Sequence, residues 1–412
     1  MAHHKRVMLS KALGLALSLG LGVFLAVLSP DTIAEGQEHA LGRPAPGSVP
    51  ETNGLDARLG KLKRGINASH WFAQVIDPRG STMEHLATHI TAADLVVIKS
   101  LGFDHLRLSV DPAPMWRSAE ADVIAAEHFG ALHQAVAMIL AHGLAVIVDI
   151  HPSSDYKKQL QTDDAHVEAF VEFWRTLARN LAGTDPERVF LEVLNEPEFR
   201  DSYRWGGIQA KLAAAIRRGA PEHTIIATGH RWSAIDDLLI LEPLADRNVV
   251  YTFHFYAPAL FTHQGATWGL GYWRHLRDLP YPASPAELPG MTAGVPDDLS
   301  RLYLTRYSHE RWGAERIEAE IGLAAAWAAR HNVRVTCTEF GVYRRWARPP
   351  DRARWIGDVR AALERHGIGW TMWDYAGDFG LVTKQAGQIL AEDAVVRALG
   401  LPGAGGNAPP AP

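Results

Sequence analysis

The sequence predicts an α/β fold, a single (β/α)8 TIM barrel with an elaborated sixth βα loop, and three observations predict it. Between Lys61 and Gly400, short apolar runs rich in β-branched residues recur eight times, each followed by a longer stretch with helical spacing. Several runs are apolar on both faces, as strands of a parallel sheet covered by helices are. The chain has 412 residues, 47% of them hydrophobic, and a single Cys. Stability must therefore come from a core and not from disulfides, and a chain of this length buries roughly 75% of its unfolded surface.

Taken in order, the chain opens with His3, His4, Lys5 and Arg6, then runs almost unbroken through apolar residues from Ala12 to Leu28. A charged start before an apolar stretch is the layout of a signal peptide, and Thr32-Ile33-Ala34 supplies small residues for a cut after Ala34. The run also approaches the roughly 18 residues that span a bilayer, so an uncleaved signal anchor is the competing reading of residues 1–34. The protein is expected to be secreted or periplasmic, or else tethered by that segment, with no other stable membrane contact. Residues 35–60, rich in Gly, Pro and polar residues, read as a linker.

The strand candidates are Leu62–Asn67, His105–Val110, Ala145–Ile150, Val189–Leu194, Thr224–Thr228, Val249–His254, Val333–Thr338 and Ile368–Trp373. Helices between them have recognisable ends: Ala121–His142 closes on Gly143, Glu310–His331 on Asn332, and Pro350–His366 starts with a proline and closes on Gly367. The catalytic domain is read as residues 61–400. The gap from Phe255 to Trp312, full of Pro, Gly and aromatic residues, is a loop over one rim. Residues 401–412 form a low-complexity disordered tail.

Charge narrows the function. With 41 Lys+Arg against 46 Asp+Glu, the net charge of −5 indicates neither a nucleic-acid footprint nor a polybasic membrane surface. A neutral substrate fits better, taken up by a monomer.

In such a barrel the chemistry sits where strands end and the following loops begin. The residues there are Asn67 with His70 and Trp71, Arg107, His151, Asn195 with Glu196, His230 with Trp232, His254 with Tyr256, Glu339 and Trp373. Two carboxylates, several imidazoles, an arginine and aromatic rings at one rim are the parts that glycoside hydrolysis needs. One acid protonates a leaving oxygen, one carboxylate meets the oxocarbenium-like centre, and flat rings stack on sugar faces.

These residues also carry a resemblance. Arg64-Gly65-Ile66-Asn67, the Arg107 strand, Asp149-Ile150-His151, Leu194-Asn195-Glu196-Pro197, the Tyr251–Tyr256 strand, Thr338-Glu339-Phe340-Gly341 and Trp370–Trp373 resemble, in order, the strand motifs of glycoside hydrolase family 5, the cellulase family of clan A. The resemblance implies a retaining β-glucanase acting by double displacement on a β-linked polysaccharide or oligosaccharide, most simply an endo-β-1,4-glucanase. Glu196 matches the family's acid/base and Glu339 its nucleophile. Arg107 would hold the nucleophile ionised, Asn195 would contact the sugar 2-hydroxyl, and His254 with Tyr256 would flank the carboxylates. His151 would line the subsite on the non-reducing side, with Trp373 as its stacking platform. Two departures fall near the sugar-binding subsites: Leu108-Ser109-Val110-Asp111-Pro112 where many relatives run straight from the arginine into a proline, and Pro152 in place of a frequent second His.

Alternatives from the same residues are an exo-acting or β-1,3-specific glucanase, a β-mannanase, or a polysaccharide-binding or export accessory protein without turnover. Glu196 before Pro197 also fits a residue that merely favours a helix dipole, and Glu339 a structural salt bridge to Arg107. Of Trp268, Tyr272, Trp273, Tyr281, Tyr303 and Tyr307 in the sixth loop, at least one is expected to face the cleft. Despite 20 His, no His-x-His, His-Glu-x-x-His or paired Cys occurs, so neither a metal nor another cofactor is expected.

Overall fold

Eight parallel strands close into a barrel in sequence order: β1 (Arg64–Phe72), β2 (His105–Val110), β3 (Ala145–Ile150), β4 (Val189–Glu192), β5 (Thr224–Thr228), β6 (Val249–Phe255), β7 (Arg334–Phe340) and β8 (Gly369–Met372). The computed structural model describes residues 53–116 and 121–402. The expected leader, the first part of the linker and nearly all of the tail lie outside the described residues. Among those described, no helix is long and apolar enough to cross a membrane.

Three sequence readings need correction. Residues Asn53–Leu59, at the end of the expected linker, form a helix whose Leu59 packs beneath the barrel. The expected helix Glu310–His331 starts later, at Ala314, because Arg311 takes a left-handed conformation (φ 52°) and Gly313 caps the new start, while Asp298–Glu310, expected within the sixth loop, forms a helix of its own. A hairpin of β9 (Val382–Gln385) and β10 (Gln388–Ala391), for which no strand was expected, follows the barrel. Strand boundaries otherwise match at β2, β3 and β5, while β1 runs on to Phe72 and β4 stops short at Glu192.

The barrel interior changes character from bottom to top. Leu62, Ala145, Ile147, Phe190 and Ile226 form an apolar plug at the end where the strands begin. Toward the ends of the strands the inward side chains turn polar: Asn67, Arg107, Asp149 and Glu192 are all fully buried. Outside, helices such as Asp164–Leu181 bury Phe170, Phe173, Trp174 and Leu177 against the strands. Four tryptophans pin this outer layer to the upper rim, because a buried indole N–H needs an acceptor. Trp174 donates to the Val193 carbonyl (2.9 Å), Trp205 to Thr228 (2.9 Å), Trp355 to Ala257 (3.1 Å) and Trp71 to Leu86 (2.7 Å).

The ladder slips beside the site. Between β6 and β7 the register runs Phe253 to Cys337, then His254 to Glu339, so one extra residue bulges at Thr338. Bulges re-aim side chains. This one sets His254 and Glu339 side by side. A second irregularity, between Cys337 and Phe340 on the β8 side, leaves Thr338 and Glu339 free of that ladder.

Candidate active site

Arg107 is the centre of the site, fully buried, with its guanidinium saturated by partners. Its Nε and Nη2 donate to both oxygens of Glu192 (2.8 and 2.9 Å), Nη2 also to Asn195 Oδ1 (3.0 Å), and Nη1 to Asn67 Oδ1 (3.0 Å) and Glu339 Oε1 (2.6 Å). Nη2 further pairs with Asp149 Oδ2 at 3.0 Å. Burial alone works against the cation, but the carboxylates of Asp149, Glu192 and Glu339 outweigh it and hold the guanidinium charged. Asn67 is fixed in turn by donating to the carbonyls of Thr338 (3.0 Å) and Met372 (3.1 Å).

Glu339, at the end of β7, receives the Tyr256 hydroxyl on its second oxygen (2.9 Å), so both of its oxygens carry donors. His254 Nδ1 lies 2.9 Å from Glu196 Oε1 and 3.5 Å from Glu339 Oε2. Its ring is held from behind by Thr338 Oγ1 at 3.2 Å. Burial pushes the His254 pKa down to about 4, so the imidazole is neutral between the two acids.

Glu196 follows β4 in a left-handed backbone conformation (φ 42°), one that costs a non-glycine residue about 1–3 kcal/mol and is held only where surrounding contacts enforce it. The next helix begins at Ser202, capped by Asp201, so Glu196 does not serve a helix dipole. Its side chain is 27% exposed, open to the cleft, while burial of the carboxyl raises its pKa above the ordinary glutamate value. Lys157 partly opposes that rise; its ammonium, itself buried, sits 3.3 Å from Glu198. Facing oxygens of Glu196 and Glu339, together with the His254 nitrogen, all lie within 4.8 Å of one another. The same three groups could ligate a cation, which would occupy both carboxylates.

His151 completes the pocket wall. Its Nδ1 meets Asp149 Oδ2 at 2.9 Å, its Nε2 meets the Asn195 amide at 3.0 Å and Gln74 at 3.1 Å, and its ring stacks on Trp373 at 5.7 Å between centroids. Trp373 leads into an aromatic wall with Tyr343 and Phe379, against which Trp273 packs. Two sixth-loop rings reach this wall: Trp273 stacks on His263, which meets Tyr256 edge-on, and Trp268 meets Tyr343 edge-on. Tyr281 instead ties the loop to the body through Asp358, Tyr307 holds the loop to itself through the Pro280 carbonyl, and Tyr272 stacks on Tyr303.

Of the expected site residues, Glu196, Glu339, Arg107, Asn67, Asn195, His151, His254, Tyr256 and Trp373 form one connected set. Asn67 and Arg107 are buried beneath the carboxylates and position them, with no surface left for sugar. His70 stands at the rim, bonded to the Gln74 carbonyl (2.8 Å). Trp71 is a correction: it is buried in the core with its indole committed to Leu86, because β1 continues past Asn67 and turns this side chain outward under a helix. His230 turns one ring nitrogen toward Asp237 (3.5 Å). The sequence reading passed over Glu192, Lys157 and Gln74, and did not single out Asp149. Glu192 and Asp149 carried a signal: a carboxylate inside a strand that is otherwise apolar on both faces demands a buried cation.

Residues 73–378 match the model of Cellulase (glycosyl hydrolase family 5). The chain belongs to that family. Cellulase-family relatives include Endoglucanase C of Acetivibrio thermocellus, 27% identical over 320 residues that cover 76% of this chain and 91% of the relative. Cellodextrinase A of Ruminococcus flavefaciens is 26% identical over 314 residues, 74% of this chain and 83% of its own. Among solved structures, Thermotoga maritima Cel5A in complex with cellobiose superposes with a TM-score of 0.67 at 23% identity, covering 83% of this chain and 98% of that one. Cellulose synthase subunit Z of Clostridioides difficile gives a TM-score of 0.67 at 23% identity, over 82% and 99%. The protein is a glycosyl hydrolase of the cellulase family on a (β/α)8 barrel.

Proposed function

We propose that this cellulase-family enzyme is an endo-β-1,4-glucanase that cleaves with retention of configuration. The observation that carries the reading is that an oxygen of Glu196 lies within 4.8 Å of an oxygen of Glu339, an approach that favours the spacing of about 5–5.5 Å between carboxyl groups of retaining pairs over the about 6.5–9.5 Å of inverting pairs, which leaves room for a water. Glu196, whose pKa burial raises, gives its proton to the glycosidic oxygen as that bond breaks. Glu339, with Arg107 donating to one of its oxygens, bonds to the anomeric carbon. Glu196, now a carboxylate, takes a proton from water, whose oxygen displaces Glu339 and frees both acids for the next turn.

The remaining residues order the sugar. Asn195 contacts the 2-hydroxyl, a contact that strengthens in the transition state, while His151 and Trp373 hold the ring on the non-reducing side. Trp232 is 60% exposed, and its backbone N–H is fixed to the Pro197 carbonyl (2.8 Å), so it offers a second apolar face next to Glu196 on the leaving-group side. The charged and apolar N-terminus supports action outside the cytoplasm, on a β-glucan chain.

A panel of soluble β-glucans, mannan and xylan tests the substrate. Early release of mixed oligosaccharides from β-1,4-glucan is expected. Glucose or cellobiose alone from the outset would make the enzyme exo-acting, and cleavage confined to mannan or xylan would overturn the glucan assignment.

A further inference from the structure

Four residues at the top of the barrel form a closed ring of polar contacts. Arg107 Nη2 donates to Asn195 Oδ1 (3.0 Å), the Asn195 amide meets His151 Nε2 (3.0 Å), His151 Nδ1 meets Asp149 Oδ2 (2.9 Å), and Asp149 Oδ2 closes on Arg107 Nη2 (3.0 Å). The proton positions in this ring follow from chemistry alone. A guanidinium only donates, so the oxygen of Asn195 must face Arg107, and its NH2 must face His151. Nε2 of His151 therefore accepts, and its one proton sits on Nδ1, donated to the carboxylate of Asp149. Burial holds the His151 pKa near 3, which keeps the imidazole from carrying a second proton.

We propose that Asp149, which touches no substrate, is the positioning residue that decides which atoms the sugar meets. By accepting the Nδ1 proton it keeps Nε2 of His151 a bare acceptor, which locks one Asn195 N–H in place and leaves the other turned to the sugar 2-hydroxyl. Without an acceptor at position 149, His151 has no partner for an Nδ1 proton and shifts it to Nε2. Two donors then confront each other, and Asn195 must rotate and give up Arg107. This rests on the glycosidase reading above and on the Asn195 contact within it.

Two variants and two substrates separate the role from plain structural support. Asp149→Leu has nearly the same volume and no acceptor; Asp149→Asn keeps an oxygen that can receive the His151 Nδ1 proton. The substrates are an aryl β-cellobioside and its analogue lacking the 2-hydroxyl on the ring to be cleaved. Asp149→Leu is expected to lose about ten- to a hundredfold in kcat/KM on the parent substrate, the range of a hydrogen bond to a charged or strongly polar partner. It should lose much less on the 2-deoxy analogue, and Asp149→Asn should restore most of the parent activity. The ratio between substrates is taken within one preparation, so partial misfolding cancels. An equal loss on both substrates, or an Asp149→Asn variant as damaged as Asp149→Leu, would overturn the proposal, the second because charge and not the acceptor would then be what matters. If Glu339→Ala retained full activity, the glycosidase reading itself would fail, whatever the Asp149 variants did.

Discussion

Glu196 and Glu339 are the same residue type placed in different electrostatic surroundings, and the division of labour proposed for them follows from what stands beside each. Glu339 has a guanidinium on one oxygen and a phenol on the other; Glu196 has a neutral imidazole and partial burial. A carboxyl whose pKa is raised keeps its proton to a higher pH than a free glutamate, and kcat/KM falls as pH rises through that value. The alkaline limb of the pH profile therefore belongs to Glu196, and Glu196→Gln should flatten it. That variant should lose about 10²–10⁴-fold on natural glucan, whose leaving group needs a proton, and far less in forming the glycosyl-enzyme from a dinitrophenyl glycoside, read by the burst of released phenol. An equal loss on both substrates would contradict the acid role. Both carboxylates were legible in the sequence because each stands near a strand end within a distinctive motif. The indole at 71 looked like a further site residue there, since sequence position does not say on which side of a strand end a residue emerges.

At the level of elements, the site is made by strand ends that leave the ladder, and one glycine makes room for them. A Cβ on Gly341, directly after β7, would lie 2.2 Å from the carbonyl oxygen of Trp373. The obstruction is backbone, so Gly341→Ala should cost about 1–3 kcal/mol, seen as a lowered Tm, and should weaken substrate binding by shifting Trp373. An unchanged Tm would contradict this packing. The sixth loop gives a pH prediction. His263 stacks on Trp273 at 4.7 Å, and burial pushes its pKa down to about 4. The unfolded chain, with an ordinary histidine pKa of about 6.5, binds this proton first, so stability is full above that pH and is lost as pH falls toward 4. At pH 5 the loss from this residue reaches up to about 2 kcal/mol. His263→Phe should therefore lose less stability between pH 7 and pH 5 than the parent in denaturant titrations; an identical loss would rule the ring out as a source. Strands were the more legible elements, since β2, β3 and β5 match the apolar runs residue for residue. The break at Arg311 and the bulge at Thr338 were not, because each depends on a single backbone conformation that the surrounding hydrophobic pattern does not encode.

Across the whole molecule, an apolar plug closes the barrel floor, a layer of buried charge lies above it, and the two acids stand on that layer beside an aromatic wall. The order of strands follows from eight alternating units in sequence, which is why the architecture was readable at once. The buried charge was not, because the pairing of Arg107 with Asp149 and Glu192 joins three different strands. The proposed mechanism uses only side chains of the chain itself, so prolonged treatment with a strong chelator should leave activity unchanged. Loss of activity on chelation, restored by a divalent ion, would instead give the Glu196–His254–Glu339 cluster a metal to hold. The claim on which everything else depends is that these two carboxylates act on opposite faces of one anomeric carbon with no water between them. Proton NMR of the first products released from a soluble β-glucan measures this directly: the β-anomer is predicted to appear first and only later equilibrate, and an initial α-anomer would contradict the account.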